Sequence, residues 1–345
     1  MRKLLNTLYI TNPDVYLTKD GENIVARIDD KEVMRVPALN IESIVCMNRM
    51  GASPYLMNLC AERGIGLCFL TPNGYFLARV TGKTNGNVLL RRTQYRIADN
   101  DQQSLEIARL VIAGKIFNSR KVVERFKRDH ADLNLGLRTE IEQLSASLKR
   151  YSILATRATD KDSLRGLEGE AATLYFSMFD NMIVAQKNHF IFKGRNRRPP
   201  KDKVNCMLSF VYTLLAHEVQ SALETVGLDP YVGFLHTDRP GRPSLALDIM
   251  EELRAYLADR LVLSLINRKQ IEPKHFVEKG QDNIIMTDDG KKIILSAWQN
   301  RKKEEIQHPY LQDKVHVGLL PYIQAMLMAR FLRNDSDSYP VFLMQ

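Results

Sequence analysis

"SPYLMNLCAERGIGLCFLTPNGYFLARVTGKTNGNVLLRRTQYR", Ser53 to Arg96, contains both textures of this chain and the boundary between them. Ser53 precedes Pro54 at a first helical position and Gly64 stands past the end, which marks one short helix. "IGLCFL" (65–70) and "YFLARV" (75–80) read as strands flanking Thr71-Pro72-Asn73-Gly74, an Asn-Gly hairpin. Upstream, "TLYI", "DVYLT", "NIVARI", "EVMRV" and "IESIVCM" are short, rich in β-branched and aromatic residues, and separated by turn signals at Asp20-Gly21 and Asp29-Asp30. After "TGKTNGN" (81–87) the apolar residues recur at three and four, as in Leu105, Ala108, Leu110, Val111 and Ile116. The pattern predicts an α+β protein, a small β domain followed by a larger helical one.

At 345 residues the chain exceeds the size at which a single core stops growing, so two domains are expected. Lys and Arg number 49 against 40 Asp and Glu, a formal charge of +9, which favours an anionic partner. Cys46, Cys60, Cys68 and Cys206 form no C-x-x-C pair and sit in apolar stretches, so neither a zinc ribbon nor a disulfide framework is expected. Asn6, Thr7, Thr11 and Asn12 interrupt any signal-peptide core, and "GLLPYIQAMLMARFL" is too short to span a bilayer. A cytoplasmic protein without membrane attachment is the expectation.

Three segments of the helical part carry chemistry. In "SLRGLEGEAATLYFSMF" (163–179), Leu164, Leu167, Ala171, Leu174 and Met178 form a helical stripe with Glu168 at its edge. Gly166 and Gly169 each cost about 1 kcal/mol in a helix interior relative to Ala, so close approach is expected there, by a neighbouring helix or by something else. In "FKGRNRRPPKDKVNCMLSFVYTLL" (192–215), Lys193, Arg195, Arg197, Arg198, Lys201 and Lys203 crowd a loop before a helix capped by Asp202. That loop is either a phosphate seat or a solvated run of charge. In "LHTDRPGRPSLALDIMEELR" (235–254), His236 precedes a Pro/Gly loop, and a helix capped by Ser244 carries Asp248, Glu251 and Glu252.

Acids near a helix N-terminus compensate its dipole, which accounts for the carboxylates but not for His236. A divalent cation accounts for both, because neutral imidazole with carboxylates suits Mg²⁺ or Mn²⁺. His217-Glu218 lacks the second histidine of a zincin, with Ser221 in its place, and reads as structural.

"LRGLEGEAATLYF", "RRPPKDKVNCMLSFVYTLL" and "GFLHTDRPGRPSLALDIMEELR", in that order and spacing, resemble the CRISPR-associated integrase family Cas-one. "GLCFLTPNGYFLARVTG" and "NVLLRRTQYR" resemble that family's β domain and its junction with the helices. The resemblance implies a β-sandwich-like domain over residues 1–86, making dimer and partner contacts, and an all-α metal-dependent catalytic domain over 87–345. It implies Glu168, His236, Asp248 and Glu251 as catalytic residues, with Glu168, His236 and Glu251 on the metal. Glu252, where relatives carry proline, is expected in solvent or behind the ligands. The implied reaction inserts foreign DNA into the repeat array by attack of a 3′-hydroxyl on a phosphodiester. Implied partners are prespacer and repeat DNA, a second copy of the chain, and the small protein Cas-two in a heterohexamer. Arg195, Arg197, Arg198, Lys201, Lys203, Arg239 and Arg242 are expected to hold the DNA backbone without reading bases. Two other readings are a metal-dependent hydrolase of a small phosphorylated substrate and a non-catalytic DNA-binding scaffold.

Overall fold

The computed structural model describes residues 6–72, 76–82, 88–130, 134–196, 199–280 and 283–345. The amino-terminal part runs β1 (Asn6–Ile10), β2 (Tyr16–Asp20), β3 (Asn23–Ile28), β4 (Lys31–Pro37), β5 (Ile41–Cys46), α1 (Pro54–Arg63), β6 (Gly66–Leu70) and β7 (Phe76–Val80). β2, β3 and β4 form an antiparallel sheet. Asp29 and Asp30, with φ of 48° and 60°, make its two-residue turn between Ile28 and Lys31; a left-handed pair matches the strand twist. The second sheet has the order β1-β5-β6-β7. Its first three strands are parallel, with α1 the crossover from β5 to β6, and only β7 is antiparallel. Ser53 accepts the Leu56 N–H and Gly64 takes φ 67°, so α1 starts and stops where the local residues demand. The Asn73-Gly74 turn lies outside the described residues.

Ile10, Leu17, Ile24, Ile44, Leu56 and Leu67 join the two sheets through one core, a sandwich-like arrangement. Val45, Cys68 and Leu70, on the opposite face of β5 and β6, belong instead to the core of the helices. The larger sheet is therefore covered on both faces, and its strands "IVC" and "GLCFL" are correspondingly continuous in apolar residues.

The helical part comprises α2 (Val88–Asp99), α3 (Asp101–Asp129), α4 (Leu135–Ala155), α5 (Lys161–Ser177), α6 (Lys203–Val226), α7 (Ser244–Arg254) and α8 (Arg260–Asn267). Two short hairpins interrupt it, β8 (Phe276–Glu278) with β9 (Ile284–Met286), and, beyond α9 (Asp288–Lys303), β10 (Glu305–Gln307) with β11 (Lys314–His316). Helix α10 (Leu320–Leu332) and an extended carboxy-terminal segment complete the chain. It is thus mostly, not purely, helical. α7 continues into α8 through a π-helical turn, Ala255–Asp259, in which the Arg260 N–H donates to the Ala255 carbonyl. All four cysteines are free and buried. Among the described residues, no helix is long and apolar enough to cross a membrane.

A cleft of about 910 Å³ separates the larger sheet from α6. Arg79 on β7 spans it, donating to Ser221 Oγ at 2.9 Å and pairing with Glu224 at 2.7 Å. His217 packs its ring on Phe76 at 5.4 Å, and its Nδ1 is enclosed without a hydrogen-bond partner. Burial, reinforced by the Arg79 charge, holds His217 down at about 4. The unfolded chain therefore takes up a proton near pH 6.5 that the folded chain refuses until about pH 4. Stability should fall across that interval as the pH drops, by at most ~1.4 kcal/mol per pH unit from this group. Urea melts of wild type and His217→Gln between pH 4 and 7 check this: the variant should show the shallower acid-side loss.

Candidate metal and phosphodiester site

The site is built on α7 and the loop that precedes it. Asp248 is 1 % exposed, and its two oxygens accept the backbone N–H groups of Phe234 (2.6 Å), Leu235 (3.0 Å) and His236 (3.1 Å). Its Oδ1 also lies 2.6 Å from His236 Nδ1. A carboxylate only accepts, so Nδ1 carries the proton and Nε2 carries the lone pair. Hydrogen bonds to a charged acceptor contribute about 1.5–3 kcal/mol each, enough in this number to offset burial of one carboxylate. The close approach demands Gly233, where a Cβ would stand 2.7 Å from Asp248 Oδ2 and 2.8 Å from the Ser244 carbonyl carbon.

The start of α7 differs from expectation. Ser244 is the first helical residue and caps nothing; its hydroxyl donates to the Thr237 carbonyl. The Ser244 N–H donates to the Arg242 carbonyl, and those of Leu245 and Ala246 are taken by the Pro230 carbonyl. Gly241, with φ 74°, turns the loop between Arg239 and Arg242, whose backbones bond at 3.0 Å.

Glu251 is 3 % exposed and lies between two cations. Arg254, one turn on, reaches Oε1 at 2.7 Å; Lys115 of α3 reaches Oε2 at 2.7 Å and also pairs with Glu168 of α5. Burial alone would raise the Glu251 pKa, but the charges of Arg254 and Lys115 hold it well below the usual carboxylate range. One ammonium thus touches both carboxylates, and the oxygens of Glu168 and Glu251 converge on a single cation position. Arg165, three residues before Glu168, donates to the Leu235 carbonyl beside His236, tying α5 to the histidine loop.

Among the described residues no three His, Cys, Asp or Glu side chains close into a ready-made ion cage. The donor set nonetheless fits Mg²⁺ or Mn²⁺: two carboxylates around one cation position, and an imidazole whose Nδ1 is engaged by Asp248, leaving Nε2 as the ring nitrogen for a ligand.

Glu252 belongs elsewhere. It is fully buried, neither in solvent nor behind the site's carboxylates, and accepts from the Tyr339 hydroxyl, the Phe342 N–H and, at 3.0 Å, Gln324 Nε2. Asn118 of α3 completes the seam, donating to the Glu252 and Phe342 carbonyls and accepting the Met344 N–H. Glu252 is an anchor for the carboxy-terminal segment.

The basic residues divide. Arg195 is turned inward, donating to Asn205 Oδ1 at 2.5 Å and to Ser209, with its guanidinium 5.1 Å from the Tyr212 ring centre. Asp202 caps α6 as expected. Lys201 and Arg239 are exposed, Arg242 is half-buried, and Lys203 bonds the His189 carbonyl at 3.3 Å. Arg197 and Arg198 lie outside the described residues. Gly166 and Gly169 face open space, where a Cβ would meet nothing within 4 Å, so no helix among the described residues approaches them.

Sequence reasoning missed Lys115, Arg254 and the acid Asp259, which the π turn buries against Tyr175 (3.0 Å) and Tyr212 (2.5 Å). Lys115 carried a signal, as the single charge in "LVIAGKIF".

Replacing Glu252 by Ala strands the Tyr339 hydroxyl and the Phe342 N–H in the core and should cost about 2–4 kcal/mol in urea melts. Glu252→Gln, which keeps an acceptor, should lose less.

The CRISPR associated protein Cas1 family profile matches residues 8–300. CRISPR-associated endonuclease Cas1 1 of Chlorobaculum tepidum is 49% identical over 345 residues, covering 99% of each chain. A casposase bound to integration product aligns at TM-score 0.82 with 21% identity, covering 98% of this chain and 94% of that one. A chain of a Cas6-RT-Cas1–Cas2 complex aligns at TM-score 0.83 with 24% identity, covering 100% of this chain and 37% of that one. At these identities the two structures speak for the fold alone.

Proposed function

This chain belongs to the Cas1 family of CRISPR-associated endonucleases, and from that premise we propose that Glu168, His236 and Glu251 hold a divalent cation against DNA during spacer insertion. The observation that carries the reading is the convergence of Glu168 and Glu251 on one cation position, now held by the Lys115 ammonium. Mg²⁺ or Mn²⁺ bound there supplies Lewis acidity toward a phosphodiester oxygen.

The chain's own groups do the rest. Asp248 acts through His236, fixing its tautomer and turning Nε2 outward. Lys115 and Arg254 keep Glu251 ionised in a buried setting. The bare outer face of α5, at Gly166 and Gly169, lets a DNA backbone lie beside Glu168. In the reaction a 3′-oxygen bonds to phosphorus, the bond from phosphorus to the target's own 3′-oxygen breaks, and a proton passes from the attacking hydroxyl to the leaving oxygen by way of solvent.

Lys201, Arg239 and Arg242, with Arg197 and Arg198, are the side chains proposed to neutralise phosphates. Arg195 is proposed to act by holding the start of α6, through Asn205 and Ser209, and Lys203 to join the phosphate contacts beside it. The β domain, residues 1–86, is proposed to carry the contacts with a second copy and with Cas2. Exposed Val33, Leu39, Tyr55, Phe76 and Leu77 support that assignment.

Strand transfer measured with the Cas2 partner, prespacer DNA and a repeat-bearing plasmid tests the reading. Glu168→Ala, His236→Ala and Glu251→Gln should each lose about 100-fold or more at saturating Mn²⁺, and Asp248→Asn about 10 to 100-fold, with circular dichroism unchanged. Folded variants with wild-type rates would overturn it; DNA binding without any metal-dependent strand transfer in the wild type would favour the scaffold instead.

A further inference from the structure

A second charged cavity, lined by none of Glu168, His236, Asp248 or Glu251, lies on the far part of the helix that bears the site. It measures about 650 Å³, and Arg125 of α3, Tyr256 of the π turn, Arg260 and Arg268 of the α8 region, and Asn300 and Arg301 of α9 line it. The guanidiniums of Arg260 and Arg301 sit 5.0 Å and 4.7 Å from the centre of the Tyr256 ring. That aromatic surface holds the two planes in place, so little rotamer freedom remains to be lost on binding.

The charges there are out of balance. Arg125 pairs with Asp129 at 3.1 Å, and Arg301 spends Nη1 on Glu304. Nε and Nη2 of Arg301 are buried with no hydrogen-bond partner. Among the described residues no carboxylate pairs with Arg260 or Arg268, and none of these arginines is paired with Gln345, which also lines the cavity. Burial, with the like charges of Arg301 and Arg125, pushes the Arg260 pKa down to about 10, so the cluster carries a cost that a bound anion would remove. Buried donors without acceptors are costly to keep, and an anion entering the cavity would satisfy them.

We propose that the cavity between Tyr256, Arg260, Arg268 and Arg301 is a phosphate-binding site that works without a metal. Planar guanidinium forks present paired donors that match phosphate oxygens. Four arginines against Asp129 and Glu304 favour a multiply charged anion over a single carboxylate. With two guanidiniums over its ring, Tyr256 has less surface to stack on a base, so the site reads the phosphate group, whether on a DNA strand end or on a free small molecule. This assignment does not rest on the metal reading, because its test is made in chelator.

Calorimetry on the full chain in EDTA, titrated with inorganic pyrophosphate, should give saturable binding of one equivalent. Arg260→Gln and Arg301→Gln should weaken it at least tenfold; Arg268→Gln, at an exposed side chain whose change leaves the core intact, should weaken it severalfold. Anisotropy with a single-stranded oligonucleotide, with and without a 5′-phosphate, separates the sources. A preference for the phosphorylated strand that Arg268→Gln reduces assigns the site to DNA ends; pyrophosphate binding with no such preference assigns it to a free phosphate compound. No saturable pyrophosphate binding, or binding unchanged in the folded arginine variants, would overturn the proposal.

Discussion

The buried carboxylate of Asp248 fixes the geometry on which the site depends. It gathers three consecutive backbone N–H groups and the His236 ring, and thereby clamps an irregular loop to the first turns of α7. The clamp works only because residue 233 has no side chain and because the Pro230 carbonyl takes the Leu245 and Ala246 N–H groups. Loop, helix start and imidazole tautomer are one constraint.

From that clamp, α7 distributes its acids to different neighbours. Asp248 and Glu251 are three residues apart, Asp248 holding the loop before the helix and Glu251 meeting Lys115 of α3. Glu252 is turned about 100° from Glu251, which is enough to send it to the opposite neighbour, the carboxy-terminal segment. Each acid is buried, and each is compensated differently: by N–H donors, by Lys115 and Arg254, and by neutral donors. Burial outweighs the donors at Glu252, whose pKa rises to about 8, whereas two cations keep Glu251 ionised. An acid kept ionised while buried suits metal chemistry; one left among neutral donors suits a joint.

Features set by neighbours in sequence were legible in it. The caps at Ser53 and Asp202, the left-handed Gly64 and the Asp29-Asp30 turn depend on two to four residues and were read from them. Glu168, His236, Asp248 and Glu251 were legible as chemistry out of place for a plain helical stripe. What failed depended on distant chain. Ser244 looks like a cap, but Pro230 arrives from the preceding loop to do that work. Lys115 comes to the site from 53 residues before Glu168, and no local pattern predicts whom a helix will face.

The central claim is that His236 Nε2 and the oxygens of Glu168 and Glu251 share one cation. Pulsed electron paramagnetic resonance of the full chain titrated with Mn²⁺, without DNA, tests it directly. The account predicts one bound Mn²⁺ per chain whose spectrum carries coupling to an imidazole nitrogen, absent in His236→Gln. Bound Mn²⁺ without nitrogen coupling in the wild type, or coupling that persists in His236→Gln, would contradict it.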